Sequence, residues 1–384
     1  MLKLLHIVHW TKVAAWSVFL FGFPPVAFAN GMYAAAAVLS VLGLLLDVTE
    51  LGALLPESTP PKTRRGIVGS VALLHASLLV ASALRLVFPS YGAWQRVEGT
   101  QSWSNPSLVR AGDGPLLAVG DGGALFSLGE GGALGAVPGI EGPVRVLGAG
   151  AHRAWLVGVT GEVAWGYDGA SVTAVRLGSG FVERTSSGSV MAPVGAALDD
   201  ALFLVRRGAL VRVELDGRKS VVIEGARVRG VATDGTRVVA VGDRVLVSED
   251  GGRRFEDRGP LKLAAPSVFA GGGSYYVVQG GILSSRLFVS EAGGPLEPRK
   301  APVRDVRILA VDPRDGRRAW LASWGEGVWR SEDGGRSWED VELEGLEVQA
   351  LVVDFGRGER ARDEAWVAAT NLATPSGVFH HAAR

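Results

Sequence analysis

The 384-residue chain carries 54 glycines, no cysteine, and 39 basic against 39 acidic side chains. Without cysteine there is no disulfide framework, thiol nucleophile or Cys-ligated metal centre. Zero net charge argues against a general nucleic-acid binder, which needs a basic surface to release counterions, and glycine at about twice its usual share implies many tight turns.

The chain divides near residue 93. Residues 1–93 hold 6 basic residues, 3 acidic residues and 7 glycines, against 33, 36 and 47 in the rest. The first part contains three long apolar runs, Val13 to Ala29, Met32 to Leu55 and Gly66 to Phe88. Each is near the roughly 20 residues that cross a bilayer core as a helix. They predict an α-helical membrane domain with helices at about 7–29, 32–55 and 66–88. Lys3 and Lys12 precede the first run, and Lys62, Arg64 and Arg65 lie between the second and third. Basic loops stay on the cytoplasmic side. The N-terminus is therefore expected inside, and everything after Phe88 on the periplasmic side of a bacterial inner membrane. The string Ala27-Phe28-Ala29 also reads as a signal-peptide cleavage site. The second part lands outside under either reading.

Within the membrane part, Asp47 and Glu50 share one helical face. Asp47 lies eight residues before Leu55 and His75 nine residues after Gly66. In an antiparallel hairpin that is a similar depth, about 12–14 Å from the helix ends. Intramembrane ionisable residues are functional candidates, and an Asp47–His75 contact is expected to lock the helices or dock a partner.

From residue 94 the sequence repeats itself. Val328 to Val341 reads VWRSEDGGRSWEDV, and Val245 to Gly259 reads VLVSEDGGRRFEDRG. Ser331, Asp333, Gly335 and Trp338 match Ser248, Asp250, Gly252 and Phe255. Worn copies lie at Leu287 to Pro298, where Ala292 replaces the aspartate, and at Leu125 to Val137. The pattern S-x-D-x-G-x-x-[WF] resembles the Asp-box, or BNR repeat, of sialidase-like propellers and photosystem II assembly factor-like propellers. The resemblance implies structural hairpin loops and carries no catalytic role for these residues.

First strands recur near Leu108, Arg145, Val190, Val228, Val268, Val306 and Val348, at the spacing of four-stranded propeller blades. Seven starts predict an all-β seven-bladed β-propeller over 94–384. The last unit ends with three strands. Trp94-Gln95-Arg96-Val97 matches Trp338-Glu339-Asp340-Val341, so residues 94–98 are expected to close the last blade and remove an open sheet edge.

Signatures of chemistry are few. The arginine triad, Tyr–Glu pair and F-R-I-P string that the resemblance implies for a sialidase are matched only by Val306-Arg307-Ile308-Leu309, late and without the proline. Tyr275 and Tyr276 sit in an apparent strand. The glycine-rich string Gly120 to Gly132 lacks the helix that a phosphate cradle needs. His380 and His381 are adjacent, and so point to opposite faces of a strand. We therefore expect no catalytic residue, metal or cofactor.

Interaction surfaces are the stronger expectation. Trp103, Phe181, Arg184, Trp324 and Glu326 fall in loops between strands or blades, and aromatic and arginine side chains suit a binding hot spot. Arg206-Arg207 forms a smaller basic spot. The sequence reads as a non-enzymatic membrane-anchored propeller: a subunit, scaffold or assembly factor of a membrane protein complex. Its expected partners are protein subunits and the lipid bilayer, with no nucleic acid and no small-molecule substrate. The rival reading is a cell-surface glycan-binding or glycoside-hydrolysing protein.

Overall fold

Ala319-Trp320-Leu321-Ala322-Ser323 shows why these repeats stack. All five side chains are buried, and alternate residues of a strand face opposite ways. Ala319 and Leu321 join the core on one face, with Tyr276 and Val289. Trp320 and Ala322 join the core on the other, with Val348 and Phe379. A sheet covered on both faces needs apolar residues at both parities. A one-residue slip would exchange the two sets, so register is tightly specified.

The computed structural model describes residues 36–44, 59–87, 91–103, 106–112, 114–129, 132–140, 142–178, 181, 183–184, 190–191, 194–280, 284–356, 363–370 and 376–382. Seven four-stranded antiparallel sheets form a seven-bladed β-propeller. The innermost strands, in blade order, are Ser107–Arg110, Val144–Ala149, Gly195–Ala197, Gly230–Thr233, Pro266–Gly271, Val306–Val311 and Glu347–Asp354. Each contacts its two neighbours, so the ring is complete. Seven apolar clusters fill the seven junctions, including the one where blade 7 meets blade 1 through Ala368, Val378, Leu108 and Trp103.

Blade 3 starts later than the repeat spacing predicts. Val190 lies instead in a separate two-residue pairing, Glu183–Arg184 with Val190–Met191, and the blade's first strand begins at Gly195. The long segment between blades 2 and 3 contains its own apolar strand-like run, and that run caught the spacing.

Blade 7 takes its outer strand from the front of the chain. Gln95 pairs with His380 and Arg96 with Phe379. Val97 N–H donates to the Val378 carbonyl at 2.8 Å. Thr100 Oγ1 donates to the Val97 carbonyl at 2.8 Å and accepts from Val378 N–H at 3.0 Å. Tyr91 stacks on Phe379 with ring centroids 5.3 Å apart.

Ahead of the propeller the described residues contain two helices, α1 at 36–44 and α2 at Pro61–Val87. Among them only α2 is long and apolar enough to cross a membrane, over Pro61–Leu84. The expected helix at 7–29 lies outside the described residues, and the one at 32–55 is described only over 36–44, so three spans are not established. The third helix also starts earlier than the expected residue 66. Proline is well tolerated at a first helical position, and α2 begins at Pro61, taking Lys62, Arg64 and Arg65 into its first turns.

Candidate functional site

The two S-x-D-x-G loops share one bonding pattern, differing in a single side-chain bond. Ser331 Oγ donates to Asp333 Oδ1 at 2.9 Å and accepts from Gly335 N–H at 2.9 Å. Asp333 Oδ1 accepts the Arg336 and Ser337 N–H groups at 2.9 Å each, and Oδ2 accepts Ser337 Oγ at 2.6 Å. In the other loop Ser248, Asp250, Gly252, Arg253 and Arg254 make the equivalent bonds, without a hydroxyl at position 254. Burial opposes ionisation of Asp333, yet the Ser337 side chain and the backbone N–H groups hold its carboxyl down at about 2. For Asp250 the Arg254 N–H and the Ser248 hydroxyl hold it low. A carboxylate so engaged is a poor general acid or base.

Gly252 shows why the loop needs glycine. Its φ is 79°, and a Cβ there would lie 2.2 Å from the Phe203 ring of the neighbouring blade. Phe255 and Trp338 pack onto the apolar clusters beneath their loops. In the worn copy Ser290 Oγ turns to the Gly294 carbonyl at 2.6 Å, because Ala292 offers no carboxylate.

The expected partner-binding residues separate. Trp103 is buried and stacks on Phe126 at 5.4 Å, which makes it core and not an exposed hot spot. Phe181 is likewise buried, with Arg206 and Lys219 lying over its ring. In both cases a loop position hides a ring that fills a blade junction. Arg184 lies in the two-residue pairing with its side chain outside the described set. Glu326 is half-buried, and its Oε2 accepts the Arg304 N–H at 2.7 Å at the approach to the first strand of blade 6. Trp324 is half-buried, bridges to Glu347 at the head of blade 7, and carries the Arg307 guanidinium 4.6 Å above its ring. Of the five, Trp324 stands at the mouth of the central channel.

That mouth has a pattern of its own. The head of an innermost strand is a buried apolar residue followed by an exposed one: Val144-Arg145, Val228-Arg229, Pro266-Ser267, Val306-Arg307 and Val348-Gln349. In blade 1 the second place is the half-buried Ser107, and in blade 3 the exposed Val194 takes it. The sequence signal was the recurring Val-Arg pair, which can be seen only once the repeats are aligned. Along the innermost strands the carboxylates are Glu347 and Asp354, at the two ends of one strand, and Asp354 pairs with Arg110 at 2.9 Å.

A shallow cleft between blades 4 and 5 is lined by Asp234, Arg237, Glu249, Arg258, Ser274 and Tyr275. Its groups are engaged: Asp234 accepts the Thr236 and Arg237 N–H groups, and Arg237 binds Glu249 at 2.6 Å and the Gly273 carbonyl at 2.8 Å. Tyr276 is buried, donates to the Gly316 carbonyl at 2.8 Å, and has its hydroxyl pKa pushed up by burial. His380 stacks on Trp366 at 5.0 Å, while His381 faces Trp94 and Trp320 from the opposite side. Among the described residues no cluster of His, Asp and Glu has the arrangement of a metal site.

In the helical part His75 is buried against Gly43. A Cβ at Gly43 would lie 2.6 Å from His75 Cε1. Asp47 and Glu50 lie outside the described residues.

No family model matches the sequence, and no curated protein matches it. Solved structures do. YCF48 from Cyanidioschyzon merolae is 15% identical with a TM-score of 0.51, covering 76% of this chain and 99% of that one. YCF48 bound to D1 peptide is 16% identical with a TM-score of 0.50, covering 77% and 98%. A streptogramin B lyase is 12% identical with a TM-score of 0.50, covering 74% and 96%. The likeness is one of fold. Both an enzyme and a peptide-bound protein share it.

Proposed function

We propose that this chain is a non-enzymatic, membrane-anchored propeller facing the periplasm. It serves as a subunit, scaffold or assembly factor of a membrane protein complex, with Asp-box loops bracing its blades. The carrying observation is the inverted polarity of α1 and α2. The small and polar residues Ala36, Ser40, His75 and Ser82 are buried. Most of the large apolar ones, among them Val38, Leu42, Ile67, Leu73, Val80 and Leu84, are exposed, with Val71 buried. In water that arrangement is costly, whereas in lipid it is the expected one. Seven residues separate the end of α2 at Val87 from the closing strand at Gln95, a tether short enough to keep a propeller near the bilayer. The absence of a converging acid pair on the innermost strands supports binding over glycoside hydrolysis, which needs two carboxylates flanking one bond. The peptide-bound relative of similar fold supports a protein ligand.

A pull-down of the full chain from detergent-solubilised native membranes tests this reading. Stoichiometric membrane proteins are expected. Recovery of the chain alone at native expression level overturns it. A panel of aryl glycosides is expected to show no turnover, and turnover abolished by E347Q would favour the glycosidase.

A further inference from the structure

Seven comparable places surround the mouth of the central channel, one at or beside the head of each innermost strand, those of blades 6 and 7 lying at register shifts. In blade order they hold Ser107, Arg145, Val194, Arg229, Ser267, Arg307 and Gln349. Arginine therefore recurs on alternate blades 2, 4 and 6, separated each time by a neutral residue. No place in the ring holds a carboxylate. Because all seven strands run in the same sense around one closed ring, the three arginines lie on one rim.

Their surroundings leave charge uncompensated. The Arg145 and Arg229 side chains are exposed and make no ion pair or hydrogen bond with described residues. Arg307 has one carboxylate, Asp305 at 2.7 Å, and its guanidinium lies over the Trp324 ring. Other acids near this rim among the described residues are Glu347, beside Trp324 at the head of blade 7, Glu326, engaged by the Arg304 N–H, and Asp243, paired with Arg227. Three like charges around one opening make a positive field that low-dielectric walls focus.

We propose that this rim is a carboxylate-binding ring that receives an acidic peptide segment of a protein partner. Arginine is the side chain that grips carboxylates through two parallel N–H bonds. The neutral places suit a peptide better than a bare anion. Gln349, Ser107 and Ser267 offer donors and acceptors to a backbone. Val194, 49% exposed, and Trp324 offer apolar contact to side chains between the acids. The proposal rests on the protein-binding reading above, and it names the chemistry of the segment bound.

The test is a titration of the full chain in detergent with a fluorescent glutamate-rich peptide. Its glutamine counterpart and inorganic phosphate serve as comparison arms. The glutamate peptide is expected to bind, with affinity falling steeply as salt rises. Affinity is expected to fall about tenfold or more in R145Q/R229Q/R307Q, with each single change giving part of the loss. The single variants keep the result readable if the triple variant folds poorly. Equal binding by the variants, equal binding of the glutamine peptide, or no binding by the unmodified chain overturns the ring. Displacement by phosphate at concentrations equal to the peptide overturns the peptide assignment. The pull-down is a separate readout: partners recovered equally by the unmodified chain and the triple variant sink the ring and leave the scaffold standing. Peptide binding without recovered partners does the reverse.

Discussion

Trp94 donates its indole N–H to the Val341 carbonyl at 2.8 Å, joining the closing strand of blade 7 to the outer edge of blade 6. The same ring lies 5.1 Å from His381 and is almost fully buried. One residue next to the helical part thus touches both sides of the last junction. W94A is expected to cost about 3–5 kcal/mol, as large-to-small aromatic changes in cores do. W94F keeps an aromatic ring but loses the bond and part of the buried volume, and is expected to cost less, about 1–3 kcal/mol. Urea unfolding of the two variants checks the ordering. Equal losses would mean that the hydrogen bond carries the effect and the packing does not.

The Asp333 loop predicts a pH signature. Its carboxylate is held at about 2, below the unfolded value of about 3.9. The stability it provides is thus fully present above the unfolded value and is lost as pH falls toward 2. D333A is expected to lower the melting temperature at neutral pH. The gap to the unmodified protein should narrow from about pH 4 downward. A gap that persists at pH 2 would show that the loop acts through shape and not through charge. D333N, which retains an acceptor oxygen, is expected to fall between the two.

Much of this architecture was legible in the chain. The S-x-D-x-G spacing marks a loop whose bonds are all local, so sequence neighbours are also spatial neighbours. The match of Trp94-Gln95-Arg96-Val97 to Trp338 through Val341 is the trace of the closing strand, visible because outer strands repeat. What the sequence hid depends on burial. Trp103 and Phe181 sit in loops by position, yet their rings fill the junctions of blades 7 with 1 and 2 with 3. Nothing local distinguishes a loop aromatic that turns inward. Arg145, Arg229 and Arg307 look like scattered charges until seven strands are laid side by side. Val190 misled because apolar alternation can mark a strand without saying which sheet it joins.

The histidine pair near the chain end predicts acid sensitivity of the closure. Burial lowers both pKa values, against the weak pull of Glu364 on His380, and for His381 the neighbouring His380 adds to the lowering. The groups facing them are Trp366 and Glu364 on one side, and Trp94, Trp320, Arg330 and Glu342 on the other. Folded values below the unfolded value of about 6.5 mean that the unfolded chain takes up protons first as pH falls. Stability is therefore full above that value and declines as pH drops through it to the folded pKa values. H380Q/H381Q is expected to flatten the melting temperature between about pH 6.5 and 5 relative to the unmodified protein. Parallel curves over that window would show that the pair does not titrate on unfolding.

The contact between Gly43 and His75 predicts compensation between two helices. A methyl group at Gly43 would press into the imidazole at 2.6 Å, and the ring has no free space to leave because it is fully buried. G43A is expected to destabilise the detergent-solubilised chain by about 1–3 kcal/mol, the usual cost of overpacking. H75A alone removes a buried ring and is expected to destabilise as well. The double variant G43A/H75A fills part of the space that H75A opens. Its loss should be smaller than the sum of the single losses, giving a coupling of about 0.5–3 kcal/mol. Thermal melts of the four proteins in one detergent measure that cycle. Additive losses would mean that the two residues do not meet, and that the pairing of α1 with α2 is set elsewhere.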